Sequence, residues 1–379
     1  MADVYITKVS SFLPNDPISN DEMEEYLGFI NGEKSKSRRV VLRSNGIEQR
    51  YYAMDKSGKA THNNAELVAN AIEGLFETPD QLKEVELLAC GTTTPDMLLP
   101  SHAVMVHGLL PNSSHMEVIS NSGACCSGMQ SFKHAYLAIK ADDKTKAVCA
   151  GSERISQLMR ATSFEEEMKH LSRIEENPYV AFEKDFLRWM LSDGAGAFLL
   201  ENKKNDEGLS FKVEWLEICS FANMLPTCMY MGAEKDEENN LIGYQDMPLE
   251  EVVQKSVLSI KQDVKMLSEN IVTKGFVFLS ELLKRKSVDV SDVDYFLPHM
   301  SSYFFESKIY DVLEKNGIAI PYEKWFVNLK SCGNTGAGSI YIMLDELSSS
   351  GKLKKGDKIL LAVPESARFS YAFSLLTVC

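Results

Sequence analysis

Apolar positions along the chain follow two alternating rhythms. Short, nearly continuous apolar runs occur in "VELLACG" (85–91), "MEVISNS" (116–122), "KTKAVCAGSE" (144–153), "GAGAFLLE" (194–201) and "VDYFLPH" (293–299). Runs of this length read as buried strands. "KILLAVPE" (358–365) and "YAFSLLTV" (371–378) predict two further strands, adjacent in one sheet. Between these runs lie stretches of helical period. Apolar side chains recur every three to four residues from Ala65 to Phe76, and Met129, Phe132, Tyr136 and Ile139 share one helical face. Strands alternating with helices over most of a chain predict an α/β protein with buried sheets.

The two halves echo each other. A strand, a Gly/Ser/Cys turn, a helix and a strand are expected in order around "VISNSGACCSGMQSFKHAYLAIKADDKTKAVCAG" (118–151). The same order is expected around "FVNLKSCGNTGAGSIYIMLDELSSSGKLKKGDKILLAV" (326–363). Two related α/β halves would bring both turns to a shared centre. The charged, turn-rich "ENKKNDEGLS" (201–210) marks the boundary, giving halves 1–205 and 206–379. The stretches 156–184 and 224–244 read as insertions, of the kind that form lids or binding loops.

At 379 residues, 44% apolar and 25% charged, the chain can bury sizeable cores, and disorder is excluded as the main character. A formal charge of −14 argues against nucleic-acid binding, which needs a basic footprint. Eight cysteines include no Cys-x-x-Cys and no zinc-like spacing with His, so no metal site is expected. The start of the chain lacks a secretory pattern, and no apolar run approaches the roughly 18–20 residues of a membrane span. A reduced, soluble, cytoplasmic protein is the expectation.

Three segments carry candidate chemistry. In "SNSGACCSGMQ" (120–130) a strand runs through small residues into a helix, which places Cys125 and Cys126 at a helix N-terminus. Exposed N–H groups there stabilise a thiolate and an oxyanion formed when it attacks a thioester. Two merely buried thiols, or a strained vicinal disulfide, fit the same residues. "FLPHM" (296–300) delivers His299 at the carboxyl end of a strand, where ligand sites of α/β sheets lie. "NLKSCGNTGAGS" (328–339) holds Asn334 in a Gly-flanked turn before a helix, where its amide can point into a cleft or cap the helix.

In order, these segments resemble the β-ketoacyl-acyl-carrier-protein synthase III family of thiolase-fold condensing enzymes. "GIEQRYYA" (46–53), "GTTTPDMLLPSHA" (91–103), "GSERIS" (151–156) and "SDGAGAFLLE" (192–201) are similar to further family blocks. The resemblance implies a thiolase-like α/β fold, two related halves in an α-β-α-β-α arrangement of five layers. It implies Cys126 as acyl acceptor, His299 and Asn334 as donors to an enolate, ping-pong kinetics, a homodimer, and no cofactor beyond substrates carried as acyl-carrier-protein or coenzyme A thioesters. "PESARFS" (364–370) replaces the family's Gly-rich loop, so backbone N–H groups of Ser366, Ala367 and Arg368 are expected at the oxyanion hole, with Arg368 and Phe369 reshaping the cleft wall.

No Trp precedes Gly46 to clamp coenzyme A, which favours acyl carrier protein as partner. Its acidic helix would dock on Lys34, Lys36, Arg38, Arg39 and Arg43, or on 282–286. The stretch from Ser10 to Ala53 also resembles a narrower branch, the condensing enzymes of dialkylresorcinol and flexirubin-type pigments. That likeness implies joining of a β-ketoacyl and an α,β-unsaturated acyl thioester to a 2,5-dialkylcyclohexane-1,3-dione. Ordinary synthase III chemistry on malonyl carrier protein, 3-hydroxy-3-methylglutaryl synthase chemistry and a non-catalytic partner subunit are the alternatives. A papain-like protease shares the order Cys, His, Asn but lacks its signature here.

Overall fold

A computed structural model describes residues 2–32, 34–35, 38–164 and 187–379. Its main strands are β1 (Tyr5–Phe12), β2 (Leu87–Thr92), β3 (Glu117–Ser122), β4 (Lys146–Glu153), β5 (Gly194–Glu201), β6 (Phe211–Ser220), β7 (Tyr295–Pro298), β8 (Lys358–Glu365) and β9 (Ser370–Val378). The helices used below are α1 (Arg38–Asn45), α2 (Asn64–Glu73), α3 (His102–Gly108), α4 (Cys126–Lys140), α5 (Val264–Lys286), α6 (Glu306–Lys315) and α7 (Ser339–Ser349). Every strand and helix expected above has its counterpart among these, except one. Residues 326–328 form no strand, and the only ladder contact there is a single bridge from Phe296 to Trp325.

The nine strands make one mixed sheet in the order β7-β8-β9-β6-β1-β5-β4-β2-β3. β2 runs parallel to both β3 and β4, as strands joined by helical crossovers do. β8 and β9 are antiparallel neighbours, paired from Lys358–Thr377 to Glu365–Ser370. The first-half strands meet the second-half strands at β1–β6, where only Tyr5–Lys212 and Ile6–Phe211 pair. The turn 202–210 lies between β5 and β6.

Three cores give the layers. α2 and α3 cover one face of the first-half strands through Leu67, Val68, Ile72 and Val106, against Leu88, Val148 and Leu199. The opposite face packs Ala89, Cys149 and Phe198 on α4 and α7, which contribute Met129, Phe132, Tyr341 and Leu344. The same two helices press their other sides on Leu361, Val363 and Leu376 of the second-half strands. α5 and α6 then cover the far face of β8 and β9 through Ile271, Phe278, Leu282 and Leu313. The result is α2/α3, sheet, α4/α7, sheet, α5/α6: five layers with the two buried helices at the centre.

Local chemistry explains the helix starts. Asn63 accepts from the Glu66 N–H at 2.8 Å while Glu66 accepts from the Asn63 N–H at 2.7 Å, a reciprocal cap on α2. Asp263 caps α5 by accepting from the Met266 N–H, and Lys284, Arg285 and Lys286 close its negative end. Of the two insertions, residues 165–186 lie outside the described residues. In the other, 233–235 and 241–243 pair as a hairpin, while Met229–Tyr230 pairs with Lys261–Gln262 beside the cavity described next.

Candidate active site

The turns of the two halves meet at the centre, as the echo predicts. A Cβ on Gly128, in the first turn of α4, would lie 2.3 Å from the Ala337 carbonyl oxygen. Only a glycine lets the two turns come this close. The Tyr341 hydroxyl donates to the Gly128 carbonyl at 2.7 Å and ties α7 to α4.

One cavity opens beside this junction. Ala124, Cys125, Glu153, His299, Asn334, Gly336 and Ser366 line its polar end. Leu267, Ile271, Val272, Phe276 and Leu279 from α5, Ile309, Val312 and Leu313 from α6, and Phe296, Phe305 and Phe373 make an almost wholly apolar remainder. The α5 residues span twelve positions, about 18 Å at 1.5 Å per residue.

His299 follows β7 directly, and its N–H donates to the Ala362 carbonyl at 2.8 Å. It is buried, and burial lowers its pKa to about 4, so at neutral pH the ring is an uncharged imidazole. Asn334 is anchored by its backbone, accepting from the Ser192 N–H and donating to the Met190 carbonyl, both at 2.9 Å. Its Oδ1 accepts from the Gly336 N–H at 2.9 Å, which leaves the amide N–H groups for the cavity. Gly336 adopts φ +50, and a Cβ there would sit 2.7 Å from Cγ of Glu153. Glu153 accepts from the Thr93 hydroxyl at 2.6 Å, the Thr94 hydroxyl at 2.9 Å and the Ala337 N–H at 3.3 Å. Burial raises its pKa to about 7. Glu153 lies in the "GSERIS" block, but its bracing of the Asn334 turn depends on a contact across 184 residues and has no local signal.

The two cysteines part company. Cys125 lines the cavity with His299 and Asn334. Cys126, expected as the acyl acceptor, is fully buried and is not among the cavity-lining residues; its thiol donates to the Val363 carbonyl at 3.3 Å. The reason is directional: Cys126 is the first residue of α4, and its side chain packs under β8. The expected stabilisation of a thiolate also needs correction. The carboxylate of Glu365 accepts from the Cys126 N–H at 3.0 Å and the Ala124 N–H at 3.2 Å, taking donors that a thiolate or oxyanion would use. Burial first, and then the charge of Glu365, push both thiols well above their ordinary range. Cys125 and Cys126 are free thiols, with no vicinal disulfide.

The expected wall at 366–368 is only partly there. Ser366 lines the cavity and accepts from the Gln262 amide at 2.9 Å. The Ala367 carbonyl is tied to the N–H groups of Cys228 and Met229. Arg368 is exposed and its Nε donates to the Leu225 carbonyl at 3.2 Å, away from the cavity. Phe369, at φ +59, packs into the core under α5. The four residues between the Glu365–Ser370 pair and its return form a tight hairpin, which turns Arg368 outward.

The basic patch is also smaller than its sequence. Lys34, Arg39 and Arg43 are exposed. Arg38 is folded against the protein, paired with Asp21 at 3.0 Å and Glu24 at 3.5 Å and bonded to the Asn20 carbonyl, so it is no free docking cation. Lys36 lies outside the described residues. In the alternative patch, Arg285 and Lys286 both pair with Glu217.

Among the described residues no cluster of His, Cys, Asp and Glu could hold a metal ion, and no helix is long and apolar enough to cross a membrane.

Known proteins resemble this arrangement along its whole length. Residues 283–366 match the profile of the 3-oxoacyl-[acyl-carrier-protein] synthase III C terminal, and residues 115–206 that of the β-ketoacyl synthase N-terminal domain. The β-ketoacyl-[acyl-carrier-protein] synthase III of Koribacter versatilis is 26% identical over 363 residues, covering 94% of this chain and 92% of that protein. The enzyme of the same name from Clostridium perfringens strain SM101 is 24% identical over 374 residues, covering 95% of each. Among solved structures, the tetronic acid condensing enzyme AbyA1 superposes with a TM-score of 0.76 at 19% identity over 99% of both chains. Xanthomonas campestris OleA with lauric acid and lauroyl-CoA superposes at 0.72 and 17%, again over 99% of both. The chain thus shares the fold of these solved condensing enzymes and is similar over nearly its whole length to β-ketoacyl-acyl-carrier-protein synthase III enzymes.

Proposed function

We propose that this enzyme joins two fatty acyl thioesters, carrying the first as an acyl-cysteine at the start of α4 and forming the carbon–carbon bond beside His299 and Asn334. The observation that carries the reading is one cavity lined by a thiol, an imidazole and an amide and by an apolar α5 wall of about 18 Å. Sulfur serves as both nucleophile and leaving group, so a thiolate attacks the thioester carbonyl and releases the carrier thiol. The second thioester then presents its carbonyl to His299 and Asn334. Its α-proton passes to the Glu153 carboxylate, which lines the same cavity, and two N–H donors stabilise the enolate; the α-carbon attacks the acyl-cysteine carbonyl, the carbon–sulfur bond breaks, and the departing thiolate takes back the proton.

Family order assigns the acyl group to Cys126. The cavity wall favours Cys125 as a second assignment, since that residue lines the same cavity as His299 and Asn334. Intact-mass measurement after mixing with an acyl thioester decides between them. Loss of the acyl adduct in Cys126→Ala but not in Cys125→Ala supports the first assignment, the reverse supports the second, and adducts in both single variants and their double variant overturn the acyl-cysteine.

For substrates, we propose a β-ketoacyl and an α,β-unsaturated acyl thioester, joined by Michael-type addition and Claisen closure to a 2,5-dialkylcyclohexane-1,3-dione. The length of the apolar wall supports fatty chains, and OleA was solved with a lauroyl thioester in the same fold. The names of the curated relatives favour a second reading, condensation with malonyl carrier protein. Product mass spectrometry separates them: a cyclic dione without carbon dioxide release supports the first, a β-ketoacyl product with carbon dioxide the second.

The proposal includes acyl carrier protein as partner, docked on Lys34, Arg39 and Arg43, and a homodimer. Among the described residues β3 is the last strand of the sheet, and Leu98 and Leu99 are 74% and 86% exposed, an apolar surface that suits a second copy.

A further inference from the structure

Glu365 stands at the end of β8 with its carboxylate buried against the N-terminus of α4. One oxygen accepts from both the Ala124 and Cys126 N–H groups, and Ser370 across the hairpin donates to the carboxylate as well. These donors belong to the turn that carries the paired thiols. Burying a carboxylate without a cation is costly, so its partners matter. Around it stand Cys125 and Cys126 from α4 and Ser370 from β9; Tyr371 from β9 faces Cys126, and Glu153 from β4 faces Cys125. No Lys, Arg or His among the described residues bonds to it.

We infer that Glu365 is a positioning residue that fills the two donors at the start of α4, and keeps its charge beside both thiols, until an incoming thioester carbonyl takes its place. The inference rests on the reading that a thiol of this turn carries the acyl group. Burial raises the pKa of this carboxyl while its N–H and hydroxyl donors draw it back toward the ionised form, and its charge adds to burial, the larger cause, in holding the thiols of the free enzyme protonated. When the thioester oxygen enters, it receives the N–H groups that Glu365 gives up. The donors then serve the developing oxyanion, and the opposing charge is withdrawn as the thiolate is needed. An open thiolate would be exposed to oxidation and adventitious alkylation between turnovers, and this arrangement suppresses it.

The test uses iodoacetamide and the full-length enzyme, without any acyl substrate. The rate of carbamidomethylation of the peptide containing Cys125 and Cys126 is followed by mass spectrometry from pH 6 to pH 10. Glu365→Gln keeps an acceptor for both N–H groups and removes the charge. Its alkylation rate at each pH is expected to be about tenfold above wild type, the mark of a thiol pKa lowered by about one unit. Glu365→Ala should rise in the same way, and Glu365→Asp, which keeps the charge, should retain the slow wild-type rate. Equal thermal midpoints for the variants separate the effect from loss of packing. An unchanged or slower alkylation in Glu365→Gln and Glu365→Ala overturns the inference. Because no thioester is used, that outcome is distinct from failure of acyl transfer.

Discussion

Replacing Asn334 by alanine removes two things that the structure keeps separate. The side-chain N–H groups face the cavity, while Oδ1 accepts from the Gly336 N–H at 2.9 Å. Loss of one donor to a developing oxyanion typically costs about 2.7–4 kcal/mol, or about 10²–10³ in turnover. Loss of the acceptor strands the Gly336 N–H in a buried turn, which costs about 1–3 kcal/mol of stability. The first term acts on condensation alone, because acylation at the start of α4 uses other groups. A rapid-quench experiment therefore separates them. With the first thioester only, burst acylation of Asn334→Ala should match wild type within about twofold. With both thioesters, condensation should fall by about 10²–10³. Urea unfolding should show the stability loss independently. A parallel collapse of burst and condensation would refute the division of labour, and an unchanged condensation rate would remove Asn334 from the donor pair.

Other expectations follow from the same contacts. Tyr341→Phe deletes the hydroxyl bonded to the Gly128 carbonyl at the helix junction and should cost about 1–3 kcal/mol in urea unfolding, since the residue is fully buried. Val272→Trp, on the α5 wall of the cavity, should abolish acylation by long-chain thioesters while sparing acetyl thioester; equal loss of both would show that chains do not run along α5. The His299 pKa is about 4 folded against an ordinary value near 6.5. Its folded-state pKa is depressed, so its contribution to stability is fully present above pH 6.5 and is lost as pH falls toward 4. Between pH 7 and pH 5 wild type should therefore lose about 2 kcal/mol relative to His299→Asn, read as the difference of two urea series; parallel pH profiles would mean that the ring is not buried neutral.

The periodicity was a reliable guide where one face of an element meets one core. Met129, Phe132, Tyr136 and Ile139 are all buried on α4, and β8 and β9 pair over their whole length. It failed at 326–328, where apolar residues pack without a ladder. It also left unnamed the helices α5 and α6, whose apolar residues face a cavity as well as a core and so blur a single stripe. The chemistry divides in the same way. His299 and Asn334 were legible because a strand end and a Gly-flanked turn fix where their side chains go. The choice between Cys125 and Cys126 was not, because adjacent residues at a helix start point in different directions and only the packing under β8 says which one reaches the cavity. Arg38 reads as a docking cation and Arg368 as part of the cleft wall, and ion pairs and a carbonyl distant in sequence decide otherwise.

Glu365 is the sharpest case of what pattern reading misses. It closes an ordinary strand motif, "KILLAVPE", and although "PESARFS" stands out as a departure from the family's loop, nothing local ties this residue to the thiol turn. Its significance comes from a separation of 239 residues, across which its oxygen meets the Cys126 N–H. A helix N-terminus was expected to favour a thiolate by supplying positive partial charge. That field is real, but a donor already holding a carboxylate has little left for a second anion. The same turn therefore carries opposite electrostatic consequences depending on where one side chain rests, and a carboxylate from the far half of the chain adds to burial in opposing the field of the helix the thiols begin.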